Sequence, residues 1–510
     1  MIRRSVAVLI VVALVATPAS AQKAKDTLRV GFHDPISTVD LIDDPKPETS
    51  FTAKSVYDPL IEFDAASGEF RPVLAESWRR VDPVTLEFAL RRGVKFHDGS
   101  AFDADDVVYT VNWLADPNTR IRFKDNFAWI ARAEKVDAHT VRIVAKGPTA
   151  FDMMRLAISV PIYPSDVHSA LAEKSEFGRK KPIGTGPYKV ETVDARRGVV
   201  MVRNDAYRHG GPWRPAASIG RIHALPIPDL QTQIAHLMTG GLDLIHEVPK
   251  DQAEALLAHP NLAATANQAL VYFYMSLDAA NRSGNAALSN QKVRQALIQS
   301  IDRMTVARSI VSGGDEVKPL DAVCLPVQKG CAVSVKPAPF NRAAAKRLLG
   351  EAGFPDGFDV EINSIPGAQK VAEAIAGEIR KIGVRARVSH QTFDGYRKKQ
   401  REGKLEILVA HYSSGGLPDV SAITSFYFGS PDRDYWRDEA INAIAKEATA
   451  ILDEGERRAT YRKVFDRINE MAYIAPISTF PAVLIHTREV KVDKGSLSPA
   501  GAEVHRMHWN

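Results

Sequence analysis

The residues in this chain that could begin a catalytic or metal site stop short of completing one. His246-Glu247 has the opening of a zinc-protease helix, but that chemistry needs a second histidine one helical turn on, so that both rings meet one ion. Val248, Pro249 and Lys250 follow instead. His390 and His411 are far apart and neither is flanked by further ligands, so no metal site is expected. Pro182-Ile183-Gly184-Thr185-Gly186-Pro187-Tyr188 is rich in glycine, yet a phosphate loop requires donor amides leading into a helix, or a Gly-Lys-Ser/Thr ending. Pro187 removes a donor and Tyr188-Lys189-Val190 is extended in pattern, so these glycines are expected to turn the chain into a sheet. A Gly-x-Ser-x-Gly elbow and a Ser-x-x-Lys set with its companions are both missing. No catalytic residue and no cofactor are expected. A secreted hydrolase with a triad of distant residues, which leaves no local mark, stays open as the alternative.

The chemistry that remains is export, cross-linking and binding. Arg3 and Arg4 precede an uncharged apolar run from Val6 to Ala16, and Ala19-Ser20-Ala21 has the small side chains that signal peptidase accepts. Residues 1–21 are therefore expected to be a cleaved leader, too short in its apolar run to span a bilayer. No cysteine near the cleavage point offers a lipid attachment site, which points to a protein free in the periplasm; Sec and twin-arginine export both remain open. The only two cysteines, Cys324 and Cys331 in CLPVQKGC, then meet an oxidising compartment and are expected to form a disulfide. Closing that loop stabilises by about 2.5 kcal/mol on the chain-entropy account. Net charge is +5, and loss of Arg3 and Arg4 with the leader leaves +3, too little to argue for nucleic acid. The basic cluster Arg397-Lys398-Lys399 with Arg401 reads as a solvated helix face.

These residues have to be carried by a large frame, and its densest local signals run from Leu74 to Leu114. Asp82-Pro83 turns the chain, Leu86, Phe88 and Leu90 alternate with Thr85, Glu87 and Ala89, and Val94 and Phe96 continue the alternation. Asp98-Gly99 turns again. Asp103 stands as a helix N-cap with Asp105 and Asp106 in the first turn, and Val107, Val111 and Leu114 supply a buried stripe. The Leu-Ala-Glu-Ser-Trp segment from Leu74, the hairpin, the Phe96-His97-Asp98-Gly99 turn and the Asp103 helix start together resemble the signature of the family 5 extracellular solute-binding proteins, the peptide- and nickel-type binding components of ABC importers. Gly184-Thr185-Gly186-Pro187-Tyr188 matches a second element of that family.

The resemblance implies an α/β fold of the periplasmic binding protein type, the large cluster C variety, with two lobes joined by paired hinge crossings. Lobe I is expected from 22–50, 167–270 and 482–510, an extra subdomain of lobe I from 51–166, and lobe II from 271–481. The residue patterns agree with α/β order. Phe358, Val360 and Ile362 alternate, Val371, Ile375, Ile379 and Ile382 repeat at helical spacing, Gly383 stops that helix, and Val384, Ala386 and Val388 alternate again, which is a β-α-β unit. One helix is expected from Lys292 to about Ile310 after the strand Val271 to Leu277.

In such a fold the ligand settles at the carboxyl ends of the strands. The loop after the first strand faces the cleft in the resembled family, which makes Ser37 and Asp40 candidates, with turn formation around Pro35 as the other role open to them. Ala410 to Asp419 leaves a buried strand and should open into the cleft, so His411, Tyr412, Ser413 and Ser414 are candidates. Peptide-binding members carry an aspartate where Ser414 stands, pairing with the peptide ammonium; serine brings no charge, which puts free-amino-terminal peptides in doubt. Asp419 could take over that role or simply shape the loop. Trp129 could be a platform for a solute or a core residue. The implied partners are a small-molecule or short-peptide solute and an inner-membrane ABC permease, with the protein itself a monomer. Opines, sugars, glutathione and haem are alternative solutes. The export reading makes a direct prediction: the intact mass of the exported protein will start near Gln22, and a mass retaining Met1 to Ala21 contradicts it.

Overall fold

The structure, a computed structural model, describes residues 26–414, 416–498 and 500–510. The expected leader lies outside them, as does Gly415 in the candidate cleft segment. No helix among the described residues is long and apolar enough to cross a membrane.

Thr27–Phe32 is short, β-branched at its core and flanked by turn residues, and it buries Leu28, Val30 and Phe32 almost completely. It sits near the middle of a seven-stranded mixed sheet. Arg221–Pro226 and Leu244–His246 flank it in parallel, Gly198–Arg203 and Tyr188–Asp194 extend one side, and Ala482–Thr487 and Leu262–Asn267 extend the other. The glycine-rich turn before Tyr188 feeds the edge strand of this sheet. Gly184 and Gly186 run so close to the helix Pro47–Val56 that a Cβ on either would collide with the carbonyls of Val56 and Ser55. That close approach, more than any turn angle, demands glycine.

The second sheet has five strands in the order Arg385–His390, Asp359–Ser364, Ile407–Ser413, Val271–Leu277 and Ile474–Thr479. The β-α-β unit is present: Asp359–Ser364 and Arg385–His390 are parallel neighbours, joined by the helix Gln369–Arg380 that buries Val371, Ile375 and Ile379. The single helix expected from Lys292 is instead two, Gln291–Gln299 and Arg303–Ile310. Asp302 explains the break, because its carboxylate accepts from the Thr305 amide and starts a new helix where the hydrophobic stripe alone gave no sign of one. Cys324 and Cys331 are joined in a disulfide on this side of the molecule.

A smaller antiparallel sheet, Ala75–Asp82, Thr85–Leu90, Thr140–Ala145 and Ile130–Asp137, carries the helix Ala104–Ala115 on one face. Asp103 and Asp106 form the reciprocal capping box, and Val107, Val111 and Leu114 are fully buried. The strand stops at Leu90, short of Val94 and Phe96: Gly93 takes a positive φ, and the two apolar residues are buried from a turn in which Phe96 bonds Ser100. The turn that follows meets the glycine-rich segment directly. The His97 amide donates to the Gly184 carbonyl, and its ring lies 3.0 Å from the Gly186 carbonyl, so the two sequence signatures form one contact.

Beneath that contact lies Asp58, fully buried. One carboxylate oxygen takes the Arg214 guanidinium at 2.5 Å, and the other takes His209 at 2.7 Å and the Thr185 hydroxyl at 2.9 Å. Arg214 also bonds the carbonyls of Lys54 and Tyr57 at the end of the helix Pro47–Val56. Burial alone would push the Asp58 carboxyl up, but Arg214 and His209 outweigh it and hold it well below the ordinary range. Replacing Asp58 by Ala strands a buried guanidinium and should cost about 3–5 kcal/mol, read as a lower denaturation midpoint; an unchanged midpoint contradicts the assignment. Acid should act on the same region. Burial lowers His97 and His168 from 6.5 to about 4. Both stay neutral in the fold while the unfolded chain takes up protons, so their contribution is complete above pH 6.5 and shrinks as pH falls toward 4. Replacing His97 by Gln should flatten the loss of stability across that window in urea titrations.

Candidate functional site

The chain crosses between the two large sheets twice, at 268–270 between Leu262–Asn267 and Val271–Leu277, and at 480–481 between Ile474–Thr479 and Ala482–Thr487. The strands Thr27–Phe32 and Leu244–His246 run parallel to each other and antiparallel to Ala482–Thr487, so their carboxyl ends arrive at the edge where that strand begins. On the other side, Ile407–Ser413 ends beside Val271. The two sheets therefore turn their ligand-bearing edges toward one cleft that straddles the crossings.

The lobes touch across that cleft. Leu417, in the loop after Ile407–Ser413, is 1% exposed and packs into the core of lobe I. The Ala150 amide, just before the helix Asp152–Ser159, donates to the Thr449 carbonyl at 3.0 Å. Near the crossings, Ser312 bonds the Val248 carbonyl at 3.4 Å.

Where Gly416 meets lobe I there is a cavity of about 240 Å³. Its floor comes from the helix Pro47–Val56 and the strand Ile61–Asp64, one wall from Ala157 to Pro161, and the other from the tail segment 493–498 with Glu503 and Arg506. The lining is charged and internally matched. Arg506 reaches Glu62 at 2.8 Å and Glu503 at 3.1 Å, and Lys54 stands 3.8 Å from Glu503. Burial works against the Glu503 carboxyl, yet Lys54, His505 and Arg506 hold it down at about 2. For Glu62 burial prevails and its carboxyl is raised. One Glu62 oxygen and the Tyr57 hydroxyl are buried without a hydrogen-bond partner among the described residues. Unsatisfied acceptors and donors in a polar hollow are what a polar guest would complete.

The residues singled out from sequence divide in the structure. Ser414 stands two residues before Gly416, outside the cavity lining, its Oγ sealed from solvent without a partner. Ser413 is exposed at the strand end and Ser37 is part-buried in the loop after the first strand. His411 and Tyr412 point to opposite faces of their strand. His411 lies among Phe273, Phe480 and the Gly367 turn beside the second crossing, with burial lowering its ring to about 4 and Nδ1 left without a partner. Tyr412 packs against Tyr272, Phe426 and Tyr427 as core of lobe II.

Three candidates are committed elsewhere. Asp40 is 2% exposed and accepts from the Tyr163 hydroxyl at 2.6 Å and the Ile42 amide at 2.8 Å, so it braces the loop from within; burial raises its carboxyl to about 6. Trp129 is buried in the small-sheet core with its indole on the Asn126 carbonyl. Asp419 gives both oxygens to Arg457, at 2.9 and 2.7 Å, leaving no charge for an ammonium. Glu62, Arg214, Glu503 and Arg506 were not reachable from sequence. Glu62, Arg214 and the Glu503–Arg506 pair lie far apart in sequence without a shared motif, and only contacts of the folded chain such as Arg506 on Glu62 assemble them.

A family description, bacterial extracellular solute-binding proteins, family 5 Middle, matches residues 69–434. The chain is 30% identical over 505 residues to the glutathione-binding protein GsiB of Shigella dysenteriae serotype 1, a match covering 95% of this chain and 94% of that protein. It is 28% identical over 466 residues to Heme-binding protein A of Haemophilus influenzae, covering 84% and 83%. The fold superposes on the ABC transporter substrate-binding protein CtaP of Listeria monocytogenes with a TM-score of 0.83 at 21% identity, over 95% of this chain and 99% of that one. A two-sheet body with its cleft at paired crossings, matched along most of its length, places this chain in the bacterial extracellular solute-binding proteins of family 5.

Proposed function

We propose that this protein is the periplasmic receptor of an ABC importer, which captures a peptide or peptide-like polar solute between its lobes and delivers it to an inner-membrane permease. The observation that carries this reading is the charged cavity of lobe I, which the other lobe closes at one point, Gly416 in the loop after Ile407–Ser413. A solute there touches the loop at Gly416 only when the lobes are together, so its differential affinity shifts the population toward the closed arrangement that a permease can recognise.

The lining favours a polar solute over haem. Its charged groups, among them Lys54, Glu62, Arg214, Glu503 and Arg506, suit a zwitterion, and the described lining residues include no His, Cys or Met to hold iron, Tyr57 being the one side chain there of a haem-ligating type. The glutathione-binding relative makes that tripeptide the first probe. Native mass spectrometry of freshly purified protein should find a small co-purified solute, and glutathione or short peptides should raise the melting temperature with concentration. The solute recovered after denaturation should be chemically unchanged; turnover would establish the secreted hydrolase instead.

A further inference from the structure

The helix Asp152–Ser159 of lobe I carries a cation with no bonded counter-ion among the described residues, acted on only through space by Asp419 of lobe II. Arg155 makes no ion pair and no side-chain hydrogen bond among the described residues. Its Nε is buried without a partner, whereas Nη1 and Nη2, equally unbonded, are not sealed from solvent. Its one ring contact is Phe151, a turn earlier, 6.0 Å from the guanidinium. The carboxylates nearby are already spent. Asp152 on the same helix holds Arg80 with both oxygens at 2.8 Å. Asp419, which acts on Arg155 from lobe II together with Tyr412, is chelated by Arg457.

An inward guanidinium without a counter-charge is costly, and proteins keep such groups where a ligand completes them. The position fits that use. Ala157 and Ile158 of the same helix line the cavity, and the Ala150–Thr449 bond holds the start of the helix against lobe II. A second guanidinium without an ion pair, Arg433 of lobe II, lies 5.4 Å from the Phe426 ring that packs on Tyr412. The Tyr412 patch therefore has a cation without an ion pair from each lobe.

We propose that Arg155 is the carboxylate anchor of the cleft, a specificity-determining residue that selects solutes bearing a free acid group. The proposal rests on the receptor reading above. A planar guanidinium with two open donors matches a carboxylate in geometry and charge, and a neutral amide in neither.

The test uses the full exported protein with paired probes, glutathione and diglycine against their fully amidated forms, by calorimetry and thermal shift. The acids should bind about 10- to 100-fold more tightly than the amides. Arg155→Gln should erase that preference and Arg155→Lys should keep part of it, each with unaltered circular dichroism. The anchor is overturned if the wild type does not prefer acids, or if Arg155→Gln retains the preference. It is also overturned if Arg155→Gln weakens acid and amide alike, which marks a contact that merely holds the lobes shut. Should none of these probes bind, the co-purified solute decides: one without an acid group overturns the anchor and leaves the receptor reading intact, whereas one with an acid group must be lost in Arg155→Gln. If no solute of any kind is found, the receptor reading falls and the anchor with it.

Discussion

The buried carboxylate of Asp58 ties together parts of the chain that no local preference would bring side by side. It binds Thr185 from the glycine-rich turn, His209, and Arg214, whose guanidinium continues to the end of the helix Pro47–Val56. Charged groups so deep in a protein are tolerated only when their partners are held in place. Here the glycines at 184 and 186 bring the turn against the helix, and His97 locks the turn from the other side. Movement of any one of these would leave a buried charge partly unpaired. The small sheet, the glycine-rich turn and lobe I thus behave as one rigid wall, and Arg214 at its surface is already part of the cavity lining.

Rigidity on that side gives the cleft its meaning. The two sheets are joined through two short crossings, and each keeps its own core. The groups facing the cavity are balanced among themselves by Lys54, Glu62, Glu503 and Arg506. The lining is therefore a polarised surface with little net charge. Of its residues, Tyr57 has a hydroxyl and Glu62 one oxygen without a hydrogen-bond partner among the described residues. Water satisfies such groups poorly in a confined space, and a fitted ligand gains by replacing it.

Much of this was readable from local pattern. Asp103 announced its helix because an N-cap is satisfied by atoms within three residues. Val371, Ile375 and Ile379 announced theirs because one face must be apolar to pack on a sheet. The break at Asp302 was missed: the apolar stripe continues through it, and a single capping carboxylate decided the matter. Site residues were harder still. Asp40, Trp129 and Asp419 have the chemistry of a binding site, but a side chain's availability depends on its neighbours, and Tyr163, the small-sheet core and Arg457 are all distant in sequence.

Residue order alone was enough for the α/β class, the signature hairpin and the family likeness, since each rests on periodicity, turns and caps that act within a few residues. Which charges are spent and which remain open was settled only by the folded chain. Arg155 and Arg457 look alike in sequence; one lacks a bonded carboxylate and the other chelates Asp419, because pairing depends on distances that close only when the chain has folded.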